Sequence, residues 1–254
     1  MNKGFIDIHS HSLWRMDDGS RSVGETLDLC ECAENNNTST LFVTPHLMYW
    51  EHAEDLCDTR DEKVDELQEL LSDHGSELVI KKGFEILCDD DIFDVKYFRP
   101  YTLNESRYNL IEFDFFKTTL EDVTSWCKYL LSFGLVPIIA HPERYDFVLR
   151  NDSCLDKLSD MGVLFQVNAG SPAGFFGDME MNVACKMLEA GYVDFFGSDA
   201  HSIAIRNTDM ISCFDEFPYF ITTEEIDKIA MDNPLVILND GIYKPKRKKL
   251  IQEL

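Results

Sequence analysis

Short runs of mostly apolar residues recur along the chain, and each has the length of a buried strand. Between these runs, apolar residues return at the spacing that places them on one face of a helix. Strands that alternate with helices are typical of parallel β/α units. We therefore predict about seven strands, at residues 5–9, 41–44, 78–80, 109–111, 135–140, 163–167 and 193–197.

Capping motifs mark where the predicted helices begin. In each, a Ser or Thr is followed three positions later by an acidic residue, which is the pattern of a capping box. The motifs are Ser22-x-x-Glu25, Thr59-x-x-Glu62, Thr119-x-x-Asp122 and Thr222-x-x-Glu225, the last opening a helix that stops near Asn233-Pro234. Gly162 and Gly191 are predicted to lie at helix ends, and His74 to be the last residue of another helix.

The chain is predicted to form a single domain over residues 1–254. No linker rich in Gly, Ser or Pro divides it, and no sequence period repeats. An α/β barrel of this length is commonly one domain, so one closed or nearly closed β/α barrel is the simplest prediction. In such barrels the active site forms at the carboxyl ends of the strands.

The charge balance restricts the possible partners. A formal net charge of −24 disfavours nucleic acid, because that binding draws on clustered Lys and Arg. The one basic run, Lys244 to Lys249, lies in a tail (244–254) that is expected to be solvated, with docking to an acidic partner as the alternative. No signal peptide or membrane-spanning run is visible, and eight cysteines without a CxxC pattern fit reduced thiols, so we predict a cytoplasmic protein.

Histidines and acidic residues follow the predicted strands at positions that would share one face of a barrel. His9 and His11 are two apart, so in an extended backbone both imidazoles point the same way. Such donors with almost no Cys favour manganese, iron, zinc or magnesium, and their number favours two or three ions bridged by a carboxylate. The candidates at strand ends are His9, His11, His46, Glu85, Glu112, His141, Asp199 and His201.

Arginines beside these donors suggest a phosphate substrate. Arg144 lies one turn beyond His141, and Arg206 lies five residues beyond His201. Guanidinium groups next to bridged metals suit phosphate oxygens and in-line displacement at phosphorus. A cysteine-dependent phosphatase is excluded because no Cys is followed six residues later by Arg. We interpret Asp89-Asp90-Asp91 as a solvated acidic loop, not as a phosphorylated nucleophile.

Eight motifs taken together give a more specific indication. They are Asp7-Ile8-His9-Ser10-His11, Asp17-Asp18-Gly19, Thr44-Pro45-His46, Glu85, Ile111-Glu112-Phe113, His141-Pro142-Glu143-Arg144, Gln166-Val167-Asn168-Ala169-Gly170-Ser171 and Ser198-Asp199-Ala200-His201. From about Ile6 to Pro234 the chain resembles the polymerase and histidinol phosphatase superfamily. More narrowly, it resembles the bacterial manganese-dependent protein-tyrosine phosphatases of capsule and exopolysaccharide operons.

This resemblance implies a fold and a set of ligands. The fold would be of the α/β class, a distorted (β/α)7 barrel of TIM type, with two or three Mn²⁺ ions, or Fe, Zn or Mg in their place. One ion would be held by His9, His11, Glu85 and Asp199, a second by Glu85, Glu112 and His141, and a third by Asp18, His46 and His201. Arg144 and Arg206 match the arginines that hold the phosphate.

The chain departs from the pattern of these phosphatases at three places. The segment from Ser12 to Met16 replaces small and apolar residues, so the rim of the pocket is expected to differ. Asn207 and Thr208 stand after Arg206, where these proteins have two prolines. Tyr49, Trp50 and His52 lie where these proteins vary and where a substrate could make contact.

The function implied is hydrolysis of phosphotyrosine by a metal-bridging hydroxide, with Asp199, His201 or a metal-bound water as candidate general acids. The substrate would be the C-terminal tyrosine cluster of a bacterial tyrosine autokinase that regulates capsular and exopolysaccharide biosynthesis. One alternative is a phosphatase for a small metabolite such as histidinol phosphate, and another is a phosphodiesterase. A non-catalytic alternative is a metal-stabilised protein that binds a kinase tail.

Overall fold

The computed structural model describes residues 4–248, and in it the strands pair in parallel in two sheets. One sheet has the order β1-β2-β4 and the other the order β3-β5-β6-β7-β8-β9. The strands are β1 (Phe5–Asp7), β2 (Thr38–Val43), β3 (His46–Leu47), β4 (Val79–Lys82), β5 (Glu85–Leu87), β6 (Tyr108–Glu112), β7 (Val136–Ala140), β8 (Leu164–Asn168) and β9 (Phe195–Gly197). The predicted α/β class is confirmed, whereas the count of seven β/α units stays a prediction.

The two sheets meet where two strands are interrupted. Two residues separate β2 from β3, and two more, Gly83 and Phe84, separate β4 from β5. A Cβ atom on Gly83 would lie 2.5 Å from the side chain of Leu103, so any larger residue at this crossing would have to displace that side chain. At the other edge, a parallel bridge joins Ser10 to Ala200, beyond the ends of β1 and β9. The carboxyl ends of the first and last strands are therefore neighbours.

Helices connect most of the strands. They are α1 (Val23–Asn35), α2 (Ala53–Asp73), α3 (Leu120–Ser132), α4 (Asp146–Arg150), α5 (Cys154–Asp160), α6 (Asp178–Ala190), α7 (Met210–Asp215), α8 (Thr223–Asp227) and α9 (Leu235–Leu238). A π-helical turn, Lys228–Asp232, extends α8, and 3₁₀ turns lie at Trp50–His52, Asp90–Asp94, Arg99–Tyr101, Leu103–Glu105 and Pro142–Arg144. The predicted helix ends at Gly162 and Gly191 are confirmed by the positive φ angles of both residues.

Two of the predicted capping boxes form in full. Thr119 and Asp122 exchange side-chain to backbone hydrogen bonds at the start of α3, and the Thr222 motif does the same before α8. At α1, Ser22 accepts a hydrogen bond from the Glu25 backbone, but the Glu25 carboxylate accepts from Arg21 instead of Ser22.

The predicted helix start at Thr59 is wrong. Helix α2 begins six residues earlier, at Ala53, directly after the 3₁₀ turn Trp50–His52. Glu54 and Asp55 lie in its first turn, where acidic side chains stabilise the helix by interacting with the positive end of its dipole. The Thr59 hydroxyl donates to the Asp55 carbonyl at 2.8 Å, so it lies inside the helix. The sequence Thr59-x-x-Glu62 has the pattern of a capping box, but it does not mark the start of this helix.

The apolar interior leaves room for polar groups at one end of the strands. One buried cluster gathers side chains from six strands, and Ile237 of α9 packs on it. Its residues on the strands, or directly after β1 for Ile8, are Ile6, Ile8, Phe42, Tyr108, Leu110, Ile138, Ala140, Leu164 and Phe195. A larger cluster lies between the six-stranded sheet and its helices. The predicted metal ligands lie at or beyond the carboxyl ends of β1, β6, β7 and β9, or, for His46 and Glu85, at the start of the short strands β3 and β5 that follow β2 and β4.

The C-terminal segment packs at the opposite, amino ends of the strands. The Arg247 side chain is only 8% exposed and contacts the Asp194 carboxylate at 2.6 Å, just before β9. Its guanidinium also stacks on the rings of Phe165 and Tyr192. The expectation of a solvated tail is therefore wrong for Arg247, although Lys244, Lys246 and Lys248 are exposed. Lys249 and residues 250–254 lie outside the described residues.

We expect Arg247→Ala to lower the free energy of unfolding by about 3 kcal/mol at neutral pH, because it leaves the Asp194 carboxylate buried without its cationic partner, with the Phe165 backbone N–H still donating to it. Burial raises the pKa of Asp194 to about 6 even though Arg247 lowers it. The loss should therefore grow as the pH rises through about 6 and shrink below it, where the protonated Asp194 no longer needs a cation.

Urea unfolding above and below that pH measures this loss. Lys244→Ala is the matched control from the same basic run, since its side chain is exposed. An Arg247→Ala protein as stable as Lys244→Ala at both pH values would show that the buried pair adds nothing.

Two further expectations concern the whole chain. All eight cysteines are free thiols in the structure, as their spacing predicted. Within residues 4–248, no helix combines the length and the apolarity that a bilayer crossing requires.

Candidate metal centre

All nine predicted metal ligands, from strand ends and from the loops beyond them, come together in one cluster. His9 and His11 follow β1, His46 begins β3, Glu85 begins β5, Glu112 ends β6 and His141 follows β7. Donor atoms from these loops approach one another in four overlapping groups, each within 4.8 Å. The groups are His11, Asp18, His46 and His201; His9, His141 and Asp199; His9, His11 and Glu85; and His46, Glu85 and Glu112.

Glu85 lies at the middle of the cluster and is fully buried. Its Oε2 atom is 3.1 Å from Nε2 of both His9 and His11, and 3.3 Å from Nδ1 of His46. Its Oε1 atom is 2.8 Å from Nε2 of His141. A single carboxylate thus faces four imidazoles, as a bridging ligand would.

Asp199 closes the cluster from the side of β9. Its Oδ1 atom lies 3.6 Å from His9 Nε2, 3.4 Å from His11 Nε2 and 3.6 Å from His201 Nδ1. Asp199 and His141 both have left-handed backbones, with φ angles of 52° and 35°. Such strain is uncommon outside glycine and concentrates at functional sites. The two residues that point into the cluster from β7 and β9 therefore hold unusual backbone conformations.

The outer edge of the cluster is formed by Asp18, His46 and His201. Oδ1 of Asp18 is 3.6 Å from His46 Nε2 and 3.4 Å from His201 Nε2, and the Asp18 side chain is 71% exposed. The other ring nitrogen of His46, Nδ1, lies 2.7 Å from Glu112 Oε1. The sequence grouped Glu112 with Glu85 and His141, whereas the structure places the Glu112 carboxylate against His46. This edge is where solvent and ligands reach the donors.

The cluster keeps the carboxylates of Asp199 and Glu85 charged. Burial alone would raise the pKa of Asp199, but the imidazoles of His9 and His11 and the guanidinium of Arg206 hold it well below its usual range. The pKa of Glu85 is also lowered, since His9, His11 and His141 outweigh its burial. Ionised carboxylates are the form that binds a divalent cation.

The donors present fit a set of divalent metal ions. Ligands that each lie about 2 Å from one ion are separated from one another by roughly 3 Å, and the donor atoms around Glu85 have this spacing. Glu85 Oε2 is also buried without any hydrogen bond of acceptable geometry, although imidazole nitrogens surround it. A buried carboxylate oxygen with no hydrogen-bond partner is expensive unless a cation satisfies it.

Both predicted arginines lie beside the donors. Arg206 contacts Asp199 Oδ2 at 2.7 Å and the His201 ring at 2.8 Å, while Arg144 reaches the same Asp199 oxygen at 3.5 Å. The Phe176 ring lies under both guanidinium groups, at 5.0 Å from Arg144 and 5.8 Å from Arg206. The Arg144 guanidinium also lies over the Phe115 ring, at 4.7 Å. Two cations are therefore held side by side over the cluster.

Two cavities open next to Asp18. The larger, of about 780 Å³, is lined by Arg206, His201, Phe175, Phe176 and Ile205 among others. The smaller, of about 390 Å³, is lined by Met16, His46, Met48, Tyr49 and His52 among others. Trp50 does not line the smaller cavity but packs inward on Tyr101. Of the segment from Ser12 to Met16, Met16 alone lines either of these two cavities, whereas Leu13 and Trp14 are buried.

A comparison with protein families decides where this site belongs. The family described as "Capsular polysaccharide synthesis, CpsB/CapC" matches residues 5–239, which is nearly the whole chain. The chain belongs to the CpsB/CapC family. This confirms the predicted resemblance to the phosphatases of capsule operons, and the match spans every donor of the cluster.

Individual CpsB/CapC relatives align with this chain over nearly their full lengths. The chain is 32% identical to CapC of Staphylococcus aureus over 241 residues, covering 94% of this chain and 93% of CapC. It is 31% identical to the tyrosine-protein phosphatase YwqE of Bacillus subtilis, covering 96% and 98% of the two chains. A crystal structure reported for YwqE and for CpsB of Streptococcus pneumoniae, "unique metal-dependent tyrosine phosphatases", superposes with a TM-score of 0.86 at 26% identity, covering 97% and 100%.

In this CpsB/CapC chain, several residues support the donors without having been predicted to do so. Asp17 accepts a hydrogen bond from His11 Nδ1 at 2.6 Å and from the His46 backbone at 2.9 Å. Gln166 and Asn168 contact His9 and Asp199, and Phe115 and Phe176 stack on the arginines. Asp17, Gln166 and Asn168 lay inside motifs that the sequence displayed, but only the contacts reveal what each one touches. His52 and His74 stay outside the cluster, as expected, and His74 ends α2.

Proposed function

We propose that this chain is a metal-dependent protein-tyrosine phosphatase that removes phosphate from the C-terminal tail of a bacterial tyrosine autokinase. Through that kinase it would regulate capsular and exopolysaccharide biosynthesis from the cytoplasm. The observation that carries the proposal is the cluster of nine donors with two arginines fixed over one edge of it. Membership of the CpsB/CapC family and the names of its relatives support the choice of phosphotyrosine.

We assign two or three Mn²⁺ ions to the cluster, with the three ligand sets that the sequence implied. His9, His11, Glu85 and Asp199 would hold one ion, Glu85, Glu112 and His141 the second, and Asp18, His46 and His201 the third. When bound, such ions supply an activated water and positive charge against the phosphoryl group. Glu85 is suited to bridging because both of its oxygens face imidazoles.

Arg144 and Arg206 bind and orient the phosphate in this proposal. Both guanidinium groups now contact Asp199 Oδ2, so each has donors directed at the cluster. Their planar forks can donate two hydrogen bonds to phosphate oxygens and stabilise charge that develops there. Stacking on Phe115 and Phe176 restricts the rotation of Arg144, so little freedom remains to be lost when phosphate binds.

The tyrosyl leaving group needs little acid assistance from the protein. A phenol with a pKa of about 10 departs more easily than an alkyl alcohol, so weak proton donation is sufficient. We assign Asp199 and His201 as the residues near the departing oxygen. His201 faces the larger cavity and hydrogen-bonds Arg206, whereas Asp199 is buried beneath it. His201 is therefore the better placed of the two to meet the tyrosyl oxygen.

We also infer that residues 1–254 form one domain built as a distorted barrel of seven strand positions. The bridge between Ser10 and Ala200 and the continuation of β2 into β3 and β4 into β5 support this count. The barrel explains why donors far apart in sequence meet at one end of the strands.

Substrate profiling paired with elemental analysis tests the proposal. With Mn²⁺, we expect kcat/KM for phosphotyrosine peptides to exceed that for histidinol phosphate by about a hundredfold or more, since the larger cavity offers apolar surface to a peptide. The purified protein should carry bound transition metal. Preference for histidinol phosphate would favour the metabolite phosphatase, and hydrolysis of a phosphodiester alone would favour the phosphodiesterase. A protein that carries bound metal but hydrolyses none of these esters would support the non-catalytic alternative, a metal-stabilised protein that binds a kinase tail.

A further inference from the structure

Strand β8 ends with two buried amides that contact two of the proposed metal ligands. Gln166 and Asn168 are two residues apart, so their side chains leave the strand on the same side. Gln166 Oε1 lies 2.7 Å from His9 Nδ1, and Asn168 Nδ2 lies 2.8 Å from Asp199 Oδ2. The two amides also contact each other, with Gln166 Nε2 at 3.0 Å from Asn168 Oδ1. Both side chains are fully buried.

The four groups form a chain of hydrogen bonds with a single direction. His9 Nδ1 donates to Gln166, Gln166 donates to Asn168, and Asn168 donates to Asp199. Each amide uses its oxygen toward His9 and its nitrogen toward Asp199, so neither amide can be rotated without loss of two bonds. A proton on Nδ1 of His9 leaves Nε2 as a lone pair directed at the cluster. Because the Asn168 amide donates to Asp199 Oδ2, the other oxygen, Oδ1, remains free to face the cluster and bind a metal ion.

The surroundings hold this chain in place. Gly197 of β9 lies between β8 and His9, and a Cβ atom there would come within 2.9 Å of Gln166 Nε2 and 2.6 Å of His9 Cβ. Glycine therefore permits Gln166 to reach His9 across the neighbouring strand. The backbone N–H of Asn168 donates to the buried Glu143 carboxylate at 3.0 Å, which also accepts from Ser171.

We propose that Gln166 and Asn168 are positioning residues that fix the ring tautomer of His9 and the free oxygen of Asp199 for metal binding. The proposal rests on the metal site proposed above. The neighbouring ligand His11 is held differently, because its Nδ1 donates to the carboxylate of Asp17. Outer partners of metal ligands typically change metal affinity by about 10- to 100-fold when they are replaced. Neutral amides position His9 and Asp199 without adding charge to an already anionic cluster.

Amide-to-carboxylate variants separate positioning from simple electrostatics. Gln166→Glu keeps the acceptor for His9 but cannot donate to Asn168, and Asn168→Asp cannot donate to Asp199. Each variant adds a negative charge near a cation site, so electrostatics alone predicts tighter Mn²⁺ binding. Loss of positioning predicts weaker binding by about 10- to 100-fold. Asn207→Asp makes the same chemical change at an exposed residue near Arg206 and outside the hydrogen-bond chain.

The experiment is calorimetric titration of the metal-free proteins with MnCl₂, after thermal unfolding has shown that each metal-free variant is folded. We expect Gln166→Glu and Asn168→Asp to bind more weakly, and Asn207→Asp to change the affinity by less than about threefold. If neither carboxylate variant folds, Gln166→Met and Asn168→Ala, which bury no new charge, are titrated instead. Unchanged or tighter Mn²⁺ binding in the folded variants would overturn the positioning role. If the wild-type protein itself binds no Mn²⁺, the proposed function fails first.

Discussion

Glu85→Gln is expected to reduce kcat/KM for a phosphotyrosine peptide by at least about a thousandfold, the effect of losing several kcal/mol of metal-derived stabilisation. Glu85 is the carboxylate that faces four imidazoles, and its two oxygens reach donors from β1, β3 and β7. An amide keeps the shape but presents an NH₂ group where a bridging anion is needed. Steady-state assays with saturating Mn²⁺ measure the loss.

Asp7→Asn is the matched control for this variant. Asp7 is equally buried and lies two residues before His9, but its carboxylate accepts hydrogen bonds from backbone N–H groups of His9 and Ser198. Burial raises the pKa of Asp7 to about 6, so a neutral amide replaces a carboxyl that holds its charge weakly. We expect Asp7→Asn to stay within about tenfold of the wild-type rate. Equal losses in both variants would mean that Glu85 acts through folding and not through metal.

A chelator provides the second comparison. Removal of metal should lower the wild-type activity as far as Glu85→Gln does, and added Mn²⁺ should restore only the wild type. Activity that is indifferent to the chelator would contradict the metal-dependent scheme.

The positions of the donors could be predicted from sequence because they follow from the architecture. A histidine or glutamate directly after a buried apolar run, as at His141 after β7, is costly unless something satisfies it. Parallel strands place such residues at one edge, so residues distant in sequence could be grouped before any distance was known. The same reasoning placed Arg144 and Arg206 near the cluster. It did not foresee that Glu112 lies nearest to His46.

The supporting residues could not be predicted because their role depends on side-chain contacts between strands. Gln166 and Asn168 look like ordinary polar residues at the end of a strand, and only the approach across Gly197 brings Gln166 to His9. Phe176 is one aromatic residue among many until two guanidinium groups are found on its ring. Arg247 belongs to a basic run whose sequence favours solvent, and a buried Asp194 overrides that preference.

Arg144 is the residue on which the phosphate-binding role depends most directly. Its guanidinium lies over the rings of Phe115 and Phe176 and contacts Asp199. This geometry fixes a planar donor pair before the substrate arrives, and a fixed donor contributes most when charge develops in the transition state.

Arg144→Ala is therefore expected to lower kcat/KM for phosphotyrosine peptides by about 100- to 1,000-fold, the loss typical of one preorganised donor. Arg144→Lys should recover only part of this, since a point charge lacks the planar fork that binds two oxygens and stacks on aromatic rings. Mn²⁺ affinity should change little, which separates this effect from that of Glu85→Gln. Arg150→Ala, an exposed arginine paired with Asp146 on α4, serves as the control. If Arg144→Ala binds Mn²⁺ normally and keeps the activity of Arg150→Ala, then Arg144 does not bind the phosphate.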